Sequence, residues 1–179
     1  MKIGLVRHFK TAHQFILRCD SEEYNNEYDR YENSHIIPVI SPDYTEEYSV
    51  CYASTAPRAL ETAAAVYKKE IIPIPELREV PLHSIFNTGW RLPIKLWHIL
   101  NRTGWAFNMK KMPETRDQTK QRALRVLAEI LAPNPGNDRV LVVSHGFFMV
   151  TLQEELIRMG FKGKEFIRPE HGGLYEFFR

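Results

Sequence analysis

Residues 1–11, MKIGLVRHFKT, decide how the rest of the chain is read. Ile3 to Val6 is a short apolar run rich in branched residues, long enough for a buried strand and too short for most helices. It ends at once in Arg7 and His8. The end of a buried strand is where open α/β sheets place their ligands. Arg7 offers a rigid fork of donors that matches a phosphate or a carboxylate. His8 offers a ring nitrogen able to act as nucleophile, base or donor near neutral pH. Alone, the pair reads more simply as a polar strand end facing solvent.

Two later stretches change that balance. Ser49 to Ser54 (SVCYAS) is a second strand-like run, followed by Thr55, Ala56, Pro57, Arg58 and a helical pattern. Val140 to Ser144 (VLVVS) is a third, followed by His145, Gly146 and another helix. Three strand ends therefore carry Arg7–His8, Arg58 and His145. The ordered set RH…T, then Ser54, Arg58, Thr62 and Ala63, then Ser144, His145 and Gly146 resembles the histidine phosphatase superfamily, the phosphoglycerate mutase-like proteins. The resemblance spans most of the chain and fades between about Arg18 and Tyr48 and between Leu82 and Met112. It implies a three-layer αβα sandwich around a mostly parallel sheet.

Composition agrees with such a domain. The chain has 179 residues, enough for one domain with a sizeable core. Hydrophobic content of 44% and charged content of 26% are ordinary for a globular protein. A formal charge of +2, with no basic run, gives no reason to expect nucleic acid. Cys19 and Cys51 make neither a disulfide framework nor a zinc spacing, which points to a reducing cytoplasm. No apolar stretch has the length of a signal h-region or a membrane span. His8 and His13 lack metal-ligand spacing such as HExxH, and Arg7 would repel a cation, so no metal or other cofactor is expected.

Along the chain, Ala12 to Leu17 reads as a helical turn or two, and Cys19 to Asn33 as a loop or irregular exposed helix. Pro57 suits the first turn of a helix whose buried stripe is Leu60, Ala63, Ala64 and Tyr67. Glu70 to Pro75 (EIIPIP) is a short strand whose prolines suit a sheet edge. A helical run from Leu92 to Leu100 puts Leu92, Leu96, Ile99 and Leu100 on one apolar face, widened by Ile94 and Trp97. Its neighbourhood, residues 82–112, reads as a lid-like helical segment, both aromatic and basic. Pro113 to Leu131 is the clearest helix, with a stripe of Leu124, Leu127, Ala128 and Leu131 and a turn at Pro133 to Asn137. Met149, Leu152, Leu156 and Met159 line a further helix, Gly160 suits its stop, and Leu174 to Phe178 is a last strand.

A phosphate monoester is dianionic and needs fixed positive donors. Arg7 and Arg58 supply guanidinium groups, Arg58 and the Gly146 N–H sit in first turns of helices, and His145, if protonated, adds a charge-assisted donor. The resemblance implies that His8 attacks phosphorus and becomes phosphohistidine, which water then hydrolyses. Nearby arginines would keep His8 neutral and offset the charge of the transferred group. Glycine after the second histidine implies the branch in which a glutamate protonates the leaving alkoxide. Glu76 and Glu79 are the candidates, Glu79 being the closer match to the family's Leu-x-Glu-like segment. Glu114, Thr115 and Arg122 resemble a motif that supports the site. Phe9 stands where the family usually has glycine: either the turn differs here or Phe9 roofs the pocket. The expected activity is hydrolysis of a phosphorylated small molecule or peptide. A mutase, or a silent phosphate-binding protein, is the alternative.

Overall fold

The computed structural model describes residues 1–132 and 139–179. The expected turn at Pro133 to Asn137 lies outside the described residues. The chain forms β1 (Lys2–Arg7), β2 (Arg18–Cys19), α1 (Ser21–Glu32), β3 (Val50–Ser54), α2 (Pro57–Val66), β4 (Ile71–Ile74), β5 (Leu92–Pro93), α3 (Ile94–Ala106), α4 (Arg116–Leu131), β6 (Arg139–Ser144), α5 (Gly146–Arg158), β7 (Lys162–Gly163) and β8 (Leu174–Phe178). The main sheet has the order β4-β3-β6-β1-β8-β7. Strands β4, β3, β6 and β1 are parallel, and β8 runs antiparallel to β1. This is a mostly parallel α/β sheet covered by helices on both faces, as the alternation of strands and helices implies.

Side-chain alternation along the strands divides the core between two faces. Ile3, Leu5, Val140 and Val142 pack with Val126, Leu127 and Ile130 of α4 and with Phe148, Leu152 and Leu156 of α5. Val6, Leu141, Val143 and Cys51 pack with Ala59, Ala63 and Val66 of α2 on the other side. Pro73 sits in β4, at the sheet edge, the position in a sheet that tolerates a residue without an N–H.

Four local expectations are corrected. Ala12 to Leu17 is not helical; its backbone runs past α1, and Thr11 bridges Ile36. Residues 21–32 form a regular helix, because Asp20 and Glu23 close a reciprocal capping box and Tyr24, Glu27 and Tyr28 are buried on one side. In α3 the buried residues are Ile94, Trp97, Asn101 and Gly104, while Leu96 and Ile99 face outward at 38% and 62% exposure. The helix meets α1 rather than the sheet, with Trp97 stacked on Tyr24 at 5.3 Å, so only one narrow side is covered. In α4 the buried stripe is Thr119, Ala123, Val126, Leu127 and Ile130, rotated from the expected one, so Ala128 is exposed. Thr115 and Gln118 cap that helix reciprocally.

Candidate active site

Strand register brings the two histidines together. In the parallel pair β1–β6, Arg7 lies opposite Ser144, and the His8 N–H donates to Ser144 O at 3.0 Å. His8 and His145 therefore leave adjacent strand ends at the same level, with ring centroids 5.1 Å apart. On the other side of β6, Ala53 pairs with Val143, which brings Ser54 to the same edge. Arg58, in the first turn of α2, reaches across to both rings: its Nε donates toward His8 Nε2 at 3.4 Å and its Nη2 to His145 Nδ1 at 3.0 Å.

The His8 tautomer follows from one hydrogen bond. Nδ1 lies 2.7 Å from Phe9 O, which can only accept, so the proton is on Nδ1 and the lone pair on Nε2. Burial, then the Arg58 charge, push the His8 pKa well below 6.5, so the ring is neutral at pH 7. His145 is fully buried; burial first, then Arg58 and His8, hold its pKa well below 6.5 too. The charge-assisted donor expected of a protonated His145 is thus not realised. Its Nδ1 accepts from Arg58, its Nε2–H donates to Ser54 Oγ at 2.8 Å, and the ring does not line the cavity beside it.

The smaller motif residues hold this arrangement. Thr62 Oγ1 accepts from the Phe9 N–H at 2.9 Å and donates to Arg58 O at 2.7 Å, tying the turn after His8 to α2. Ser144 Oγ donates to Leu77 O, anchoring the loop that carries Glu79. Arg122 donates to both carboxylate oxygens of Glu114 and to the Glu76 and Arg78 carbonyls, bracing the same loop. Among the described residues, Asn108 alone of the non-glycines has positive φ, so Phe9 is not strained in that way. Nor does Phe9 roof the pocket. Its ring is buried against Gly172, which has φ +75° and no Cβ to obstruct it.

Above the strand ends lies a cavity of about 950 Å³, lined by Arg7, Glu79, Gly146 and His171 among others. Its walls include Tyr28 and Tyr31 of α1 and His98 and Arg102 of α3. Arg7 donates from Nη1 to Pro169 O at 2.9 Å, while its Nε is buried without a partner. The Arg7 guanidinium lies flat against Gly146, where a Cβ would sit 2.9 Å from Cζ. Glu79 reaches the start of α5: Oε2 accepts from Phe147 N at 3.0 Å, and Oε1 from Phe148 N and Val80 N at 2.9 Å each. Glu76 is exposed and outside this cavity. Lys10 is exposed on its rim.

Three contributors escaped the reading of the sequence. Tyr31 places its hydroxyl 3.5 Å from His8 Nε2, and its ring lies under the Arg58 guanidinium. Glu32 pairs with Arg58 Nη2 at 2.6 Å. His171 donates from Nδ1 to His8 O at 2.9 Å and packs its ring against the nucleophile candidate at 5.1 Å. The His-Gly-Gly run before β8 was the available signal for His171. Its relevance depends on β8 being antiparallel, which brings the start of β8 to the carboxyl end of β1.

A family model described as Histidine phosphatase superfamily (branch 1) matches residues 44–176. The chain belongs to the histidine phosphatase superfamily. No curated protein matches it. Among solved structures, phosphoserine phosphatase from Entamoeba histolytica, in complex with 3-phosphoglyceric acid, is similar with a TM-score of 0.65 and 17% identity, covering 99% of this chain and 90% of that one. A mycobacterial glucosyl-3-phosphoglycerate phosphatase is similar with a TM-score of 0.60 and 17% identity, over 88% of this chain and 79% of that one. These likenesses establish the shared histidine phosphatase fold. The family match begins after β1, so Arg7 and His8 lie outside it, and the β1–β6 register is what joins them to Arg58 and His145. Among the described residues, no cluster of His, Cys, Asp and Glu could hold a metal, and no helix is long and apolar enough to cross a membrane.

Proposed function

We propose that this protein hydrolyses phosphate monoesters through a phosphohistidine at His8. The observation that carries the reading is the His8 tautomer: a neutral ring, its Nδ1–H tied to Phe9 O, with the Nε2 lone pair turned toward Arg58. His8 is buried beside the cavity rather than lining it, so Tyr31 must first move off the ring; the Nε2 lone pair then forms the bond to phosphorus while the ester P–O bond breaks. Arg7 and the Gly146 N–H sit at the cavity floor to receive the equatorial oxygens.

The departing alkoxide needs a proton, and Glu79 supplies it. Three backbone N–H groups fix this carboxyl, and Oε2, which accepts only one of them, keeps the lone pair on which that proton sits. In the second half, water attacks phosphorus, its proton returns to Glu79, the P–N bond breaks and neutral His8 is restored. Arg58 and His145 act from beneath, holding the His8 ring and keeping it uncharged.

His8→Ala should abolish turnover and remove any acid-labile phosphoenzyme. Near wild-type rates from that variant with p-nitrophenyl phosphate would overturn the assignment. A mutase would have to keep water from the phosphohistidine while a bisphosphate reorients. With 3-phosphoglycerate and 2,3-bisphosphoglycerate, phosphate release should exceed formation of 2-phosphoglycerate; isomerisation outpacing release by orders of magnitude would replace hydrolysis with transfer. The segment 82–112 serves as the wall over the leaving group in this reading, contributing Leu82, His98 and Arg102.

A further inference from the structure

We propose that Arg102 and His98 form a subsite for a second anionic group, a carboxylate or phosphate, on the alcohol part of the substrate. This deepens the phosphate-ester reading and rests on it. The two residues lie one turn apart on α3 and both line the cavity that contains Arg7, Glu79 and Gly146.

Arg102 is a charge without a partner. Among the described residues it makes no hydrogen bond or ion pair, and its Nη1 is buried and unsatisfied. What fixes it is packing: its guanidinium lies over the Phe147 ring, with Cζ 3.6 Å from the ring centroid. Phe147 directly follows Gly146, and its N–H holds Glu79. The guanidinium is thereby placed beside the start of α5, where Glu79 is held. The His98 Nε2 is likewise buried without a partner, and in the tautomer protonated there it is a second donor facing the cavity. A buried donor left unpaired is costly, more so when charged, and native interiors seldom tolerate it without a reason. Among the described residues, four of the six buried side-chain atoms without a hydrogen bond belong to residues lining this one cavity, Arg7, His13, His98 and Arg102, and of these only His13 faces a carboxylate, Glu27 at 3.8 Å.

Charge balance points the same way. The cavity wall carries Arg7, Lys10, Arg102 and Arg168 against a single carboxylate, Glu79. The scissile phosphate is served by the Arg7 end. Arg102 stands on a separate element, α3, and its planar fork suits a carboxylate or phosphate better than a hydroxyl or a sugar ring. At about 950 Å³ the cavity has room for an alcohol portion that carries such a group.

The test compares substrates that differ in one anion. The ratio of kcat/KM is measured for 3-phosphoglycerate over glycerol 3-phosphate, and for fructose 1,6-bisphosphate over fructose 6-phosphate. The wild type should prefer the more anionic member of at least one pair by about 10- to 100-fold, mainly through KM, as expected for one charge-assisted contact. The two pairs distinguish a carboxylate from a phosphate. Arg102→Met should bring the ratio to within about twofold of unity, and Arg102→Lys should keep part of it. A global loss of structure would lower both rates and leave the ratio alone, so the ratio reports the subsite. A wild-type ratio near one in both pairs, or a ratio unchanged in Arg102→Met, overturns the proposal. If no ester is hydrolysed, p-nitrophenyl phosphate included, the phosphatase reading is what fails. Calorimetric binding of the same pairs then decides: a preference lost in Arg102→Met upholds the subsite, and equal binding overturns it.

Discussion

The Arg58 guanidinium has no free N–H: its Nη2 reaches the Glu32 carboxylate at 2.6 Å and His145 Nδ1 at 3.0 Å, its Nη1 faces the Glu32 and Tyr31 carbonyls, and its Nε faces His8. Five donors meet five protein acceptors. The end of α1 thus holds the arginine that the family resemblance assigns to phosphate, and Tyr31 covers a His8 that is only 1% exposed. Phosphate reaches Arg58 only by displacing one of these acceptors, of which the Glu32 carboxylate is the one that carries charge. Glu32→Gln should therefore tighten phosphate or vanadate binding several-fold while lowering stability. Glu32→Ala, which strands a fully buried guanidinium, should cost about 3 kcal/mol. Vanadate titration and urea unfolding read the two effects; weaker vanadate binding in Glu32→Gln would show that Arg58 is a positioning residue only.

Glu79→Gln should cost about 100- to 10,000-fold on alkyl phosphates and far less on p-nitrophenyl phosphate, whose leaving group hardly needs a proton. The amide keeps only one acceptor atom, so a backbone N–H at the start of α5 loses its partner and stability should fall modestly. Equal losses on both substrates, or a larger loss from Glu76→Gln, would move the general-acid role elsewhere.

The neutral histidines predict a pH dependence of stability. His8 and His145 have native pKa values well below the 6.5 of the unfolded chain. Below pH 6.5 the unfolded state binds protons that the native state refuses, so stability falls as pH drops from there toward the native values. Above 6.5 both states are neutral and these rings add no slope. Each ring adds up to about 1.4 kcal/mol per pH unit inside the window. Urea midpoints between pH 7.5 and 5 measure it, above most carboxylate titration. His8→Asn should flatten the slope by about one proton. The kcat/KM profile should lack an acid limb at 6.5.

Ligand binding should be visible through Trp105. Its ring meets Phe147 at 4.7 Å, and its Nε1 donates to Thr119 Oγ1 at 2.8 Å. Vanadate at the start of α5 should shift Phe147 and change Trp105 emission, an effect lost in Trp105→Phe and kept in Trp90→Phe, since Trp90 is 80% exposed. An unchanged spectrum at saturating vanadate would count against residues 82–112 as a cover for the site.

Gly146→Ala should impair phosphate binding more than it impairs folding. Its Cβ would push the Arg7 guanidinium off the cavity floor. A rise in KM for p-nitrophenyl phosphate with little change in melting temperature is the expected signature.

Apolar runs in the sequence mark the central strands and the polar ends of three of them. Ile3 to Val6, Val50 to Ser54 and Val140 to Ser144 are apolar runs that can only be buried, and polar residues following them at once must emerge at a sheet edge. Those are local signals, as is the Ser54–Arg58–Thr62 spacing on one helical face. Local signals for α1 also existed, in the Asp20–Glu23 box and the tyrosines at positions 24, 28 and 31, but a polar composition obscured them. Tertiary structure alone decided the rest. Glu32 and Tyr31 meet Arg58 because α1 docks across the strand ends, and His171 meets His8 because β8 runs antiparallel. The protonation of His145 was beyond any spacing argument, since burial outweighs what the residue type suggests. Periodicity could not say which side of α3 is covered, because that depends on the partner, and the partner is a helix sixty-odd residues away in sequence whose Tyr24 stacks on Trp97.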